Sequence, residues 1–123
     1  MYSLREAYGQ TLLAGCLNDV DSWSFGKERY FAHLEVPEDD CVAIVTTLRI
    51  LYLKRKTLSI NWQIPFSQLL FCRPNFDTIL LSIREGEIRK RLVFCGDQGS
   101  QEWFCRKVDE GLAVYNELHR ALD

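Results

Sequence analysis

The chain has 123 residues, of which 47% are hydrophobic and 26% charged, and a formal net charge of −2. That length holds one hydrophobic core and excludes two, and the composition excludes a disordered segment. A charge this close to zero excludes a global pull toward nucleic acid or anionic membrane, so any electrostatic partner must be met by a local patch.

In chain order, Ser3-Leu4-Arg5-Glu6 is a capping box, with Ser as N-cap and Glu three residues on. Leu4, Tyr8 and Leu12 continue at four-residue spacing with Leu13 and Cys16 beside them, predicting a helix over 4–17. Gly9 and Gly15 each weaken it by about 1 kcal/mol relative to Ala. The expectation is a helix packed on its own domain, or the tail of an upstream element, rather than a membrane or partner anchor. Residues 18–26 (NDVDSWSFG) are turn-rich, with Trp23 and Phe25 as plugs fastening the connector. Residues 1–27 are therefore read as helix and connector, and 28–123 as the main domain.

Residues 29–36 (RYFAHLEV) predict a strand, and Pro37-Glu38-Asp39-Asp40 an acidic tip. Three further segments follow, CVAIV, RILYL and LSINWQI, with the basic tip Lys54-Arg55-Lys56 between the last two. Val42, Ile44, Ile50, Tyr52, Leu58, Ile60, Trp62 and Ile64 alternate within their segments, predicting an antiparallel meander with one face buried. Pro65 ends the third segment because it cannot donate to a ladder. Residues 69–73 and 78–84 predict two more strands. Arg89-Lys90-Arg91 falls by the last hairpin, and 92–95 form the seventh strand. Seven short strands at this spacing predict a sandwich or small barrel.

Asp97-Gln98-Gly99-Ser100 breaks the β pattern, and Ser100 caps a predicted helix over 101–122. Phe104, Val108, Leu112, Tyr115, Leu118 and Leu122 form its apolar stripe, which predicts a helix closing an open β core. Gly111 in mid-helix implies a close backbone approach.

Cys16, Cys41, Cys72, Cys95 and Cys105 are odd in number and contain no C-x-x-C pair, and with His33 and His119 they make no zinc spacing. They read as free thiols, mostly small buried hydrophobes. With no N-x-[ST] sequon and no signal-peptide pattern, a reducing, cytosolic setting is expected. No apolar run reaches the roughly 18 residues of a membrane span. Gly96-x-x-Gly99 lacks the Lys-[ST] of a phosphate loop, and His33 and His119 stand apart from any nucleophile pattern. No catalytic residue, cofactor or metal is expected. The competing class, a small β-rich enzyme or inhibitor, would need a pocket lined by ionisable groups with perturbed pKa values.

Seven strands followed by one long helix with Trp103 in its first turn (QEWFCRKV) resemble the pleckstrin-homology superfold. More specifically, VAIVTTLRILYL (42–53) and WQIPFSQL (62–69) resemble the C-terminal pleckstrin-homology-like domain of the chorein family. These are very large bridge-like lipid-transfer proteins named for vacuolar protein sorting, the thirteen family. The resemblance runs over about 28–122 and rests on the pieces strand–T-x-x-R–strand and W-x-I-P-F-S. It implies that the chain is one part of a much longer protein.

The resemblance further implies a non-catalytic, monomeric targeting module, cytoplasmic and peripheral at organelle membranes or contact sites. It would engage an Arf-class small GTPase, an organelle adaptor or lipid headgroups, and no nucleic acid. Phosphoinositide binders of this superfold use a Lys/Arg pattern on strands 1 and 2 beneath the strand 1–2 and 3–4 loops. Here the first loop carries Glu35, Glu38, Asp39 and Asp40, the wrong sign for a phosphate. The partner- or lipid-binding candidates are therefore two basic tips, Lys54, Arg55, Lys56 and Arg89, Lys90, Arg91. Across the rim these are balanced by the four loop acids with Glu85 and Glu87. Patches farther apart than about 8 Å, one Debye length, could still act separately, and a dipolar rim suits a charged protein partner better than a headgroup.

Overall fold

In the computed structural model, which describes residues 4–17, 28–75, 78–84, 89–93 and 98–122, the capping-box segment forms α1 (Leu4–Leu17). The alternating segments form β1 (Tyr30–Val36), β2 (Cys41–Thr46), β3 (Arg49–Lys54) and β4 (Ile60–Pro65), with a 3-10 turn at Pro37–Asp39. These pair in sequence order as one antiparallel sheet. β5 (Leu69–Asn75), β6 (Thr78–Ile83) and β7 (Arg89–Val93) form a second antiparallel sheet, and α2 (Gln98–Leu122) closes the chain. This is the expected mainly-β, pleckstrin-homology-like arrangement, with a helix at either end.

The core between the sheets is built from inward residues of both and from α2: Val45, Ile50, Tyr52, Ile64 and Phe66, then Leu69, Cys72, Ile79 and Leu81, with Phe104, Cys105 and Val108. Gly111 lets α2 sit close, since a Cβ there would lie 3.1 Å from Phe66 Cζ. The Phe66 ring meets Tyr115 edge-on at 5.8 Å. The I-P-F piece thus carries the side chain on which the helix rests.

The meander departs from one-face burial. Every residue of β2 is buried, as are all of β3 except Lys54. Register explains how: Val42 pairs with Leu53 and Ile44 with Leu51, whereas Ala43 pairs with Tyr52 and Val45 with Ile50. The first set forms a second cluster with Leu12 and Leu13 of α1, with Tyr30, Leu58 and Ile60 packed against it. Val42 and Ile44 therefore lie on the opposite face from Ile50 and Tyr52. Ile60 also leaves the face of Trp62 and Ile64, because the β3–β4 register shifts between Tyr52↔Trp62 and Leu53↔Ile60, leaving Asn61 as an extra residue.

The α1 glycines mark close approach. A Cβ at Gly9 would lie 2.2 Å from the Tyr30 ring, and one at Gly15 2.5 Å from Leu58 Cδ1. Leu58 holds a left-handed backbone (φ 58), a conformation costing a non-glycine residue roughly 1–2 kcal/mol. Its N–H donates to the Lys54 carbonyl at 2.8 Å, and its packing against the α1 cluster offsets the strain.

Three boundaries move. α2 begins at Gln98, so Ser100 lies inside the first turn rather than capping it; first-turn N–H groups have no intrahelical acceptor, which makes Gly99 inexpensive there. Leu118 does not join the core: it is 60% exposed, and the side chains of α2 that pack against the core cluster run only as far as Tyr115 among the described residues. Arg89-Lys90-Arg91 is not a hairpin tip but the start of β7, pairing with Ser82, Leu81 and Leu80. β7 is an edge strand, where charged residues are tolerated and the apolar pattern fails to register them. Trp23, Phe25, Phe94 and Cys95 lie outside the described residues.

Asp109 on α2 is partly buried, and loss of solvent raises its carboxyl above the ordinary range, with Arg73 partly offsetting this. Such a group favours the folded state while protonated and loses that advantage as pH rises from the unfolded value near 3.9. Asp109→Asn is expected to raise the urea midpoint at neutral pH, with the gain vanishing in acid; an equal gain at both pH values would refute the assignment. Phe104→Ala should cost about 3–5 kcal/mol and Leu118→Ala within about 0.5 kcal/mol in urea unfolding. Equal losses would show the end of α2 to be packed.

Candidate docking rim

At one end of the first sheet the β1–β2 and β3–β4 turns lie side by side. Asp40, in a left-handed conformation (φ 52), closes the first turn through its N–H to the Pro37 carbonyl. Its own carbonyl accepts the Arg55 N–H at 2.9 Å, which ties the two turns together. Charges pair across the same seam: the Arg55 guanidinium donates to the Glu35 carboxylate and toward the Tyr8 hydroxyl of α1, and Lys56 Nζ lies 4.0 Å from Asp40 Oδ2. The basic tip and the acidic tip are therefore in contact rather than separate patches.

Between the turns lies a cleft of about 440 Å³ lined by Asp39, Asp40, Cys41, Tyr52, Lys54, Lys56, Thr57 and Asn61. Tyr52 is stacked on Trp62, with ring centroids 4.9 Å apart, and its hydroxyl donates to Asp39 Oδ2 at 2.8 Å. Burial, then the bond to Asp39, push the Tyr52 phenol far up. The Cys41 thiol is also raised, chiefly by burial, and donates to the Asp39 carbonyl at 3.2 Å. The cleft thus has the ionisable lining of an active site but the wrong direction of shift. Both groups are held protonated, so neither is primed as a nucleophile or base at neutral pH.

The opposite end of the sheet is clamped by a buried polar network. Arg49 Nε and Nη2 each donate to Glu28 at 2.8 Å, a bidentate pair, and Nη1 reaches Gln63. The Thr46 hydroxyl donates to Glu28 Oε2 at 2.6 Å and accepts the Leu48 and Arg49 N–H groups at 3.1 Å. The T-x-x-R piece is this clamp. Thr46 folds the β2–β3 turn, and Arg49 fastens the chain entering β1. Beneath α1, His33 is buried with Nδ1 2.7 Å from the Tyr30 hydroxyl, a structural histidine. Cys41, Cys72 and Cys105 are buried free thiols, and Cys16 and Cys95 fall outside the described side chains.

Of the candidate residues, Lys54, Arg55 and Lys56 come together at the rim. Arg89, Lys90 and Arg91 belong to the other sheet and are not brought to it. Sequence reasoning missed Tyr52 and Asp39 as partners and Glu28 as the anchor of Arg49. The T-x-x-R spacing was the available signal for the second, whereas nothing in sequence announces the first.

Two sheets closed by a C-terminal helix, with the cleft between the strand 1–2 and 3–4 turns, define a pleckstrin-homology-like domain. Residues 1–104 match the family described as "Intermembrane lipid transfer protein VPS13, C-terminal", and the chain belongs to that family. The match starts at residue 1 and so takes in α1. Over 122 residues, 99% of the chain, it is 29% identical to the intermembrane lipid transfer protein VPS13 of Chaetomium thermophilum, spanning 4% of that relative's length.

Arg49→Met leaves the Glu28 carboxylate buried without its partner and is expected to cost about 3–5 kcal/mol. Pairing it with Glu28→Met should recover much of that loss. A double variant no more stable than Arg49→Met, measured by urea unfolding, would show that the clamp acts through shape rather than charge.

Proposed function

We propose that this domain is a non-catalytic docking module of a large lipid-transfer protein, placing it at an organelle membrane or membrane contact site through a protein partner. The observation that carries the reading is the self-paired rim. Where a phosphoinositide would need unopposed positive charge, Glu35 and Asp40 already engage Arg55 and Lys56, and Asp39 is held by Tyr52. An anionic phosphate entering there meets carboxylates that each repel it by up to about 1 kcal/mol in a high-dielectric setting. A protein surface carrying both signs is complementary to such a rim, and an Arf-class small GTPase or an organelle adaptor, bound by a cytoplasmic monomer, is the occupant to test. The protonated Cys41 and Tyr52 support the absence of catalysis.

The second reading, a lipid-headgroup site, draws on Lys54 and Lys56 lining the cleft. Pull-down from cytosol with and without a non-hydrolysable GTP analogue tests the partner, and liposome binding tests the lipid. Reversing Lys54, Arg55 and Lys56 should weaken liposome binding only modestly and equally across anionic lipids while strongly reducing partner capture. Loss of binding to one phosphoinositide alone would replace the protein-partner reading with the headgroup one.

A further inference from the structure

The turn between β3 and β4 joins the basic tip to two hydroxyl groups. Lys54, Arg55 and Lys56 run directly into Thr57, with Leu58 and Ser59 behind it. No other Ser or Thr of the chain has more than one Lys or Arg among the three residues before it. Thr57 is exposed, and its hydroxyl shares a 2.8 Å hydrogen bond with that of Ser59, also exposed. Thr57 lines the rim cleft together with Lys54, Lys56, Asp39 and Asp40. The tip is held by the Leu58 N–H on the Lys54 carbonyl at 2.8 Å and the Arg55 N–H on the Asp40 carbonyl at 2.9 Å. Leu58 is left-handed, so drawing the tip out into an extended segment relieves backbone strain.

We propose that Thr57 is a phosphorylation site for a kinase that reads basic residues ahead of its acceptor, and that phosphate there turns the rim from mixed sign to acidic and releases the partner. The first half follows from the order of residues. A kinase groove lined by carboxylates takes up Lys54 and Arg55, three and two residues before the hydroxyl, and apolar Leu58 follows it. Lys56 is loosely engaged, 4.0 Å from Asp40 with its side chain 87% exposed, and an exposed pair of this kind holds little free energy. In the transfer, Thr57 Oγ1 attacks the γ-phosphorus of Mg-ATP. The new O–P bond forms, the bond to the leaving oxygen of ADP breaks, and the hydroxyl proton passes to the kinase's base.

The second half follows from the charges of the cleft. Asp39 and Asp40 are matched there by Lys54 and Lys56, and a phosphothreonine adds about −1.5 to −2 at neutral pH. The phosphate draws Lys56 away from Asp40, while both carboxylates repel it. A rim that offered both signs now offers one. The effect on docking rests on the rim being the partner surface; the modification itself does not.

The test is incubation of the full chain with Mg-ATP and the catalytic subunit of cyclic-AMP-dependent protein kinase, a kinase of this basic-reading class, with the product mapped by mass spectrometry. One phosphate at Thr57 is expected, lost in Thr57→Val and retained in Ser59→Ala. Lys54→Gln with Arg55→Gln should lower kcat/KM for the transfer about tenfold or more. Thermal melting of each variant separates lost recognition from lost fold. Phosphate on Ser59 instead, transfer that persists in Thr57→Val, or no transfer to the folded chain would overturn the site. The phosphorylated chain should capture its GTP-dependent partner from cytosol about tenfold more weakly than the unmodified one. Thr57→Val taken through the same kinase treatment should capture at full strength. Equal capture by the two forms of the unsubstituted chain would sink the switch. A chain phosphorylated at Thr57 that captures nothing in either form would remove the partner reading, and the switch with it, while the site stands.

Discussion

The two central strands of the first sheet, β2 and β3, are sealed on both faces, and most of the molecule is arranged around that condition. Val42, Ile44, Leu51 and Leu53 would face water if α1 were absent, at roughly 1.5–3 kcal/mol each. Their sum, an upper estimate of about 6–12 kcal/mol, is as large as the net stability of a typical domain. α1 is therefore part of the fold's energetics. The glycines on α1 and the strained Leu58 are consequences of the same requirement, since a helix with ordinary side chains at positions 9 and 15 could not approach the strands.

Sealing both faces leaves only the two ends of the strands for polar work, and the ends have been used differently. At one, Glu28, Thr46 and Arg49 form a fully satisfied network that pins the chain between α1 and β1 to the β2–β3 turn. A buried pair of this kind is weak evidence for extra stability, because desolvation consumes much of its attraction. Its bidentate geometry does fix a single way of joining those segments. At the other end, acids and bases of adjacent turns neutralise one another while remaining near solvent. Exposed pairs contribute at most about 1 kcal/mol.

Charge in this chain is segregated by sheet. The rim of the first sheet carries both signs in contact, whereas the strands of the second carry only positive side chains. A near-neutral total conceals this.

Sequence by itself determined the elements and the family. Period-two alternation, turn residues and a capping box gave seven strands and two helices, and T-x-x-R with W-x-I-P-F-S gave the relationship. It did so because those signals are local: each depends on side chains within a few residues of one another. Tertiary structure decided which face each strand buries, because the extra residue at Asn61 and the β2–β3 register invert parity in a way that a run of apolar letters cannot express. It decided that Leu118 is outside the core, since that depends on how far along α2 the core packing reaches. Structure also moved Arg89-Lys90-Arg91 from a tip to an edge strand and joined the acidic and basic turns. Charge carries no secondary-structure period, so only the ladder, which brings residues 40 and 55 together, could place it.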